Sequence, residues 1–312
     1  MYDVEPFLKH LELDQSASPN TVAAYRNDLN GFRDFLSTPS HGQDVPTLAD
    51  PAGDNGGWAG VSLTRLLGFV SYMKNEQGYA TTTVARKIAA LKSFFHYLHM
   101  LELVSVDPTE SLPSPRIDKA LPRSLSPTEV DGLLDQRDST TSPDDIRDNA
   151  MLRLLYASGL RVSELVALNE GDVDLGSGSV RCISRNGRER IIPLDLDAVQ
   201  ALRAYLDAAR LALVRRRDES ALFVNHRGDR LTRQGFWLIL KDRARRAGLP
   251  RDVTPQSLRH SYAIRLLHDN TDLRAVQELL GHANITTTQI YTQMTGRTGR
   301  NVDLLGEPQM VG

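Results

Sequence analysis

At 312 residues the chain exceeds the usual size of one domain, and 40% apolar with 24% charged residues is the balance of a globular protein, which excludes disorder and membrane residence as its class. The net charge of −2 is unevenly spread, with 8 Lys+Arg against 13 Asp+Glu through Glu110 (−5) and 29 against 26 beyond it (+3), so a polyanion would have to be met by local clusters of cations. Cys182 is the single cysteine, which excludes an internal disulfide and a multi-cysteine metal site.

The opening MYDVEPFLKH carries acids where a secretory signal carries bases, and no apolar run approaches the ~20 residues that cross a bilayer, so the expected location is the cytoplasm. In SPNTVAAYRNDLNGFRDFL, Ser18 suits a helix N-cap and Pro19 the first helical position, while Val22, Tyr25, Leu29, Phe32 and Leu36 recur at helical spacing. Residues 37–60, rich in Pro, Gly and Asp, read as a long loop, and Val61 to Met73 as a further apolar helix. TTTVARKIAALKSFFHYLHML (81–101) buries Val84, Ile88, Leu91, Phe95 and Leu98; Arg86, Lys87 and Lys92 fall away from that stripe and are candidates for a DNA groove.

Five prolines between 107 and 130 mark the linker, after which Ser126, Pro127 and Glu129 form a capping-box helix start. SVRCISRNGRERIIPL (179–194) predicts a β-hairpin around Asn186-Gly187, ALFVN (221–225) reads as a further strand, and residues 196–214 read as helix. The expected architecture is mainly α with a small antiparallel sheet. Arginine clusters at 181–190, 214–218 and 241–248 supply Arg188 and Lys241 as candidate DNA contacts, although each cluster taken singly reads as a solvated face.

Four residues of the second half carry the chemistry. In ASGLRVSEL, Gly159 stops one helix and Arg161 precedes the next, where its guanidinium projects into a cleft or pairs on the surface with Glu164. Thr254-Pro255 opens the helix of TPQSLRHSYAIRLL, so Gln256 and Arg259 share one face near an N-terminus that attracts anions. LLGHANITTTQIYT sets His282 just past Gly281, nine positions ahead of Tyr291; on this segment alone the tyrosine reads as a core residue with its hydroxyl at the surface. Two arginines, a histidine and a tyrosine without a metal-binding cluster suit a phosphodiester, which a tyrosine activated by guanidinium charge can attack. No phosphate-binding glycine loop, His-Glu-x-x-His or Gly-x-Ser-x-Gly is present.

ASGLRVSEL, LRHSYAIRLL and LLGHANITTTQIYT, in this order and spacing, resemble the signature boxes of the tyrosine recombinases (phage integrase-like), in their Xer-like branch, and ARKIAALKSFFHYL with the segment from Asp107 to Leu134 extends the resemblance to nearly the whole chain. The resemblance implies an N-terminal helical, SAM-like core-binding domain (1–108), a linker (109–122) and an α+β catalytic domain (123–312). It implies that Arg161 and Arg259 grip the scissile phosphate, that His282 hydrogen-bonds a phosphate oxygen, and that Tyr291 forms a 3′-phosphotyrosyl link and frees a 5′-hydroxyl. Double-stranded DNA would be held as in a clamp, with four protomers, alike or paired with a related recombinase, on two duplexes; neither metal nor nucleotide is needed. Chromosome or plasmid dimer resolution follows for this branch, and with it an FtsK-like DNA translocase as a partner; phage-type integration and topoisomerase-like nicking and closing share the same motifs.

Two positions depart from the family pattern. Arg185 stands where a lysine protonates the leaving 5′-oxygen, and arginine, with a pKa above ~12, releases a proton poorly. Gln256 stands where a histidine is usual, and an amide cannot shuttle protons; His260, one residue beyond Arg259, is expected to face elsewhere on the helix. A slow enzyme follows, or a DNA-binding paralogue with an architectural or regulatory role. TGRTGRNVDLLGEPQMVG (295–312) has too much glycine for the usual docking helix, leaving Val302, Leu304 and Leu305 as its apolar piece.

Overall fold

The computed structural model describes residues 4–15, 17–38, 57–116, 123–135, 142–184, 187–216, 218–282 and 284–294. The expectations for most of the 37–60 loop, for the end of the linker, for Arg185 and Asn186 and for the 295–312 tail lie outside them. The chain divides into two compact units, Met1–Lys119 and Ala120–Gly312.

The first unit is helical: α1 (Glu5–Leu13), α2 (Pro19–Ser37), α3 (Leu63–Ser71), continued by a wider π-type turn over Tyr72–Glu76, and α4 (Thr81–Met100). Ser18 caps α2 by accepting from the Thr21 N–H, with proline next. The stripes read from the sequence turn inward: Leu29, Phe32, Ile88, Leu91 and Phe95 are completely buried, and Phe94 beside them is buried as well. Aromatic rings fill the space between helices, with Phe32 and Phe69 at 4.9 Å and Trp58 and Phe94 edge-on at 5.0 Å between centroids.

The second unit holds α5 (Pro127–Leu134), α6 (Pro143–Ser158), α7 (Val162–Leu165), strands β1 (Val173–Asp174), β2 (Ser179–Ile183) and β3 (Glu189–Pro193), then α8 (Leu196–Ala204), a π-type turn over Tyr205–Ala209, α9 (Arg210–Leu213), α10 (Arg233–Arg246), α11 (Pro255–His268), α12 (Leu273–Leu280) and α13 (Thr286–Met294). The strands form one antiparallel sheet in the order β1-β2-β3; the hairpin predicted around Asn186-Gly187 is present, with Ile183 opposite Glu189 and Ser184 bonded to Arg188, and Gly187 has a positive φ of 75°. Ser126 and Glu129 close the capping box at the head of α5, and Thr254 caps α11.

ALFVN is not a strand. Residues 221–225 carry isolated bridges from Ala221 to Asn169 and from Val224 to Arg230, with bends at Leu222 and Phe223 between them. The physical reason is Arg210, which is buried and donates to the carbonyls of Ala221 (2.7 and 3.1 Å) and Leu222 (3.3 Å), occupying positions that a neighbouring strand would use. The main core of the unit gathers around α6; a separate small apolar cluster of Tyr262, Ala263, Leu267, Val276, Leu280 and Tyr291 joins α11, α12 and α13.

Candidate active site

The site is assembled at the C-terminal turn of α12. The last carbonyls of a helix lack intrahelical partners and carry the negative end of its dipole, so they draw cations. Here three arginines from three other elements answer three consecutive carbonyls. Arg190 on β3 donates through Nε to Leu279 O (3.0 Å), Arg259 on α11 through Nη2 to Leu280 O, and Arg161 at the N-cap of α7 through Nη2 to Gly281 O (3.1 Å). The second guanidinium nitrogen of Arg259 donates to the carbonyl of Gly159, where α6 ends in the left-handed region. Gly159 admits no substitute: its φ is +58° and a Cβ there would lie 2.3 Å from the ring of Tyr262. Gly281, with φ +63°, sits directly under Arg190, whose Nη1 would be 3.0 Å from an added Cβ.

Glu164 braces the other side. Its buried carboxylate accepts from Arg190 Nη2 (2.8 Å) and Nη1 (3.2 Å), from Arg161 Nη1 (3.1 Å) and from the Arg161 backbone N–H (2.8 Å). Burial pushes its pKa up, but the Arg190 hydrogen bond and the Arg161 backbone N–H outweigh it and hold the carboxyl below its ordinary range. Arg161 therefore pairs with Glu164, one of the two readings of the sequence, and also reaches across to the turn after α12. Arg259 is 2% exposed, and burial followed by the like charge of Arg161 brings its pKa down to about 10, so it stays cationic at neutral pH.

Tyr291 on α13 is 1% exposed, its ring in the small cluster and its hydroxyl 2.9 Å from Nδ1 of His260. Burial raises its pKa above 10, while the charges of Arg259 and Arg161 pull the other way. His282 lies parallel to the tyrosine ring, at 6.4 Å between centroids, and shares a 2.9 Å hydrogen bond through Nδ1 with Thr288 Oγ1. Burial, then the charges of Arg259 and Arg161, lower the pKa of His282 to about 4; burial and Arg259 do the same for His260. Both imidazoles are neutral at neutral pH.

Arg161, Arg259, His282 and Tyr291 thus meet around one turn, and Gln256 stands exposed on the first turn of α11. The expectation for His260 is corrected: one residue is about 100° of helix rotation, and α13 packs on that adjacent side of α11, so Arg259 and His260 serve neighbouring faces of a single site. Arg190 was missed altogether. Its signal was a cation at an inward position of a two-residue period, since Arg190 alternates with the exposed Glu189 and Ile191 and falls on the same face as the buried Ile192.

The candidate DNA contacts fare unevenly. Arg86 and Lys87 both bind the carboxylate of Asp28, which is 1% exposed, Lys87 at 3.0 Å. Lys92 lines a cleft with His96, His99, Asp107 and Glu110. Arg188 is exposed beside the hairpin turn. Lys241 donates to the carbonyls of Arg251 and Val253 (3.0 Å for the latter) and lies 4.9 Å over the ring of Trp237. Among the described residues, no group of three or more His, Cys, Asp and Glu could hold a metal ion, and no helix is long and apolar enough to cross a membrane.

Residues 123–297 match the Phage integrase family and residues 4–100 the Phage integrase, N-terminal SAM-like domain. The chain is 50% identical over 293 residues to Tyrosine recombinase XerC of Roseiflexus castenholzii, covering 93% of this chain and 88% of that protein. It is 41% identical over 295 residues to Tyrosine recombinase XerD of Oceanobacillus iheyensis, covering 94% of each. Among solved structures, XerH site-specific recombinase bound to difH substrate in a pre-cleavage complex shares the fold, at a TM-score of 0.69 and 22% identity, over 93% of this chain and 79% of that one.

Proposed function

The chain belongs to the phage integrase family, in its Xer-type tyrosine recombinase branch, and from that membership we propose that Tyr291 is the nucleophile of a DNA strand-exchange reaction, with Arg161 and Arg259 holding the scissile phosphate. As a family member it is a site-specific recombinase that breaks and rejoins DNA. The observation that carries the residue assignment is the convergence of two guanidiniums with one phenol: both arginines donate to the turn that follows α12, and both charges act on the Tyr291 hydroxyl.

The backbone bonds fix each guanidinium without exhausting it. A guanidinium carries five N–H donors, and the bonds of Arg259 to Gly159 O and Leu280 O, like those of Arg161 to Glu164 and Gly281 O, leave others for phosphate oxygens. Held in advance, these charges stabilise the extra negative charge that builds on the phosphate oxygens as Tyr291 Oη attacks. His282, locked by Thr288, offers its other ring nitrogen to the same oxygens. The phosphotyrosyl ester keeps the energy of the broken bond, so the freed 5′-hydroxyl of another strand can reverse the step without nucleotide hydrolysis. Arg185 and Gln256, standing where the family has lysine and histidine, transfer protons poorly, and a slow rate is the expected consequence.

Identities of 41–50% with proteins named XerC and XerD support resolution of chromosome or plasmid dimers as the biological reaction, carried out in the cytoplasm by four protomers on two duplexes and linked to chromosome partition and cell division, with an FtsK-like translocase as a candidate activator. Arg86, Lys87, Lys92, Arg188 and Lys241 are the proposed phosphate-backbone contacts. The test is a nicked duplex that traps the covalent ester. The wild-type chain yields a protein–DNA band on a denaturing gel and Tyr291→Phe yields none; a band of equal strength in the phenylalanine variant refutes the assignment.

A further inference from the structure

We propose that His260 is the proton acceptor for Tyr291, a catalytic duty that the exposed amide of Gln256 cannot perform. The inference rests on the recombinase reading above and deepens it. Its basis is geometric: among the described residues, His260 is the side chain that hydrogen-bonds the reacting oxygen, at 2.9 Å through Nδ1, with its ring tilted 55° to the phenol. His282 is the other imidazole nearby, but its ring lies parallel to the phenol and its Nδ1 is engaged by Thr288. Gln256 is exposed one turn away on α11.

The site also gives His260 the right protonation state. Facing it are Arg259 on its own helix, Tyr291 on α13 and His282 at the turn between α12 and α13; burial and the neighbouring Arg259 charge hold its pKa at about 4. It is therefore neutral in the DNA-free protein, with Nδ1 free to accept the tyrosine O–H. A scissile phosphate seated between the arginines places negative charge beside Arg259 and offsets that repulsion, so the imidazole becomes a better base when substrate is bound.

The step balances as follows. The O–H bond of Tyr291 breaks and its proton passes to Nδ1 of His260 as the Oη–phosphorus bond forms; the phosphorus–O5′ bond breaks and the 5′-oxygen leaves as a hydroxyl with a proton drawn from solvent. In religation the incoming 5′-hydroxyl attacks phosphorus and loses its proton to solvent, while protonated His260 returns its proton to the departing tyrosine oxygen.

A core histidine that merely satisfies a buried hydroxyl would show the same hydrogen bond, so the test separates proton transfer from placement. His260→Asn keeps an acceptor near the Nδ1 position but takes up no proton. Ester formation on the nicked duplex is measured in single turnover against pH, with thermal unfolding of each variant alongside. The expected result is a melting temperature near wild type, a loss of ~10²-fold or more in rate at neutral pH, and a profile that changes from one with an acid limb levelling off by neutral pH in the wild type to one still climbing with hydroxide above it. An asparagine variant with the wild-type rate and profile overturns the proposal. For an asparagine variant that does not fold, the wild-type protein on a duplex with sulfur at the bridging 5′ position decides. A thiolate leaves without an acid, so the remaining acid limb belongs to the base, and a rate that climbs with hydroxide through neutral pH overturns the proposal. Absence of any wild-type ester on either duplex sinks the recombinase assignment itself, an outcome distinct from these.

Discussion

The two units solve the problem of a core in different ways. In the first, aromatic rings interlock and charge stays outside, except where Asp28 is sealed in by Arg86 and Lys87. In the second, arginines run through the interior: Arg147, Arg210, Arg243 and Arg259 are all buried and all donate to backbone carbonyls. A basic cluster in the sequence therefore says little about DNA until the donors are followed. Arg210 has every guanidinium nitrogen engaged, by Ala221, Leu222, Glu219 and Glu170, and is spent on the fold. Arg161 has a side chain 42% exposed and bonds through its two terminal nitrogens, so it retains donors for a ligand.

That contrast can be sharpened by substitution. The largest effect belongs to Arg161→Met, expected to lower ester formation by ~10²–10³-fold, the loss typical of one preorganised donor to a developing oxyanion, while thermal stability changes little; a fall in melting temperature matching the fall in activity would put Arg161 with the structural arginines. Arg210→Met should do the reverse, costing about 2–4 kcal/mol in chemical denaturation with ester yield per folded molecule unchanged. Loss of yield without loss of stability would break the division between the two classes.

Acid comes next. The pKa values of His260 and His282 are depressed from 6.5 to about 4 in the folded protein, so between those values the unfolded chain binds more protons and stability falls as pH falls. Scanning calorimetry should show the second unit melting lower at pH 5 than at pH 7, with the difference reduced in His260→Asn; a pH-independent transition would mean the imidazoles are solvated. The smallest effects are in the first unit. Asp28→Asn should cost about 1–2 kcal/mol by leaving two cations beside a neutral amide, and Arg86→Ala about 0–1 kcal/mol. Were Arg86 also a phosphate contact, its loss would reduce the salt dependence of DNA binding by about one ion; an unchanged slope assigns it to Asp28 alone.

Much of this was legible in the chain. Ser18, Ser126 and Thr254 announced helix starts, Asn186-Gly187 announced the hairpin, and the 3-and-4 spacing of α2 and α4 named the buried face, because caps, turns and stripes are local. The segment ALFVN failed because a side chain eleven positions upstream took the carbonyls that strand pairing would have used. His260 and Arg190 failed for a related reason. Their partners lie 31 and 89 residues away, and one-letter neighbours do not reveal which helix face a later helix will cover.

The turn at Leu279–Gly281 has one more consequence. Because the backbone that leads into the tyrosine helix is also what three cations lean on, nucleophile and anion grip share a single mechanical linkage. A change in the course of that turn would therefore disturb the seats of Arg190, Arg259 and Arg161 together.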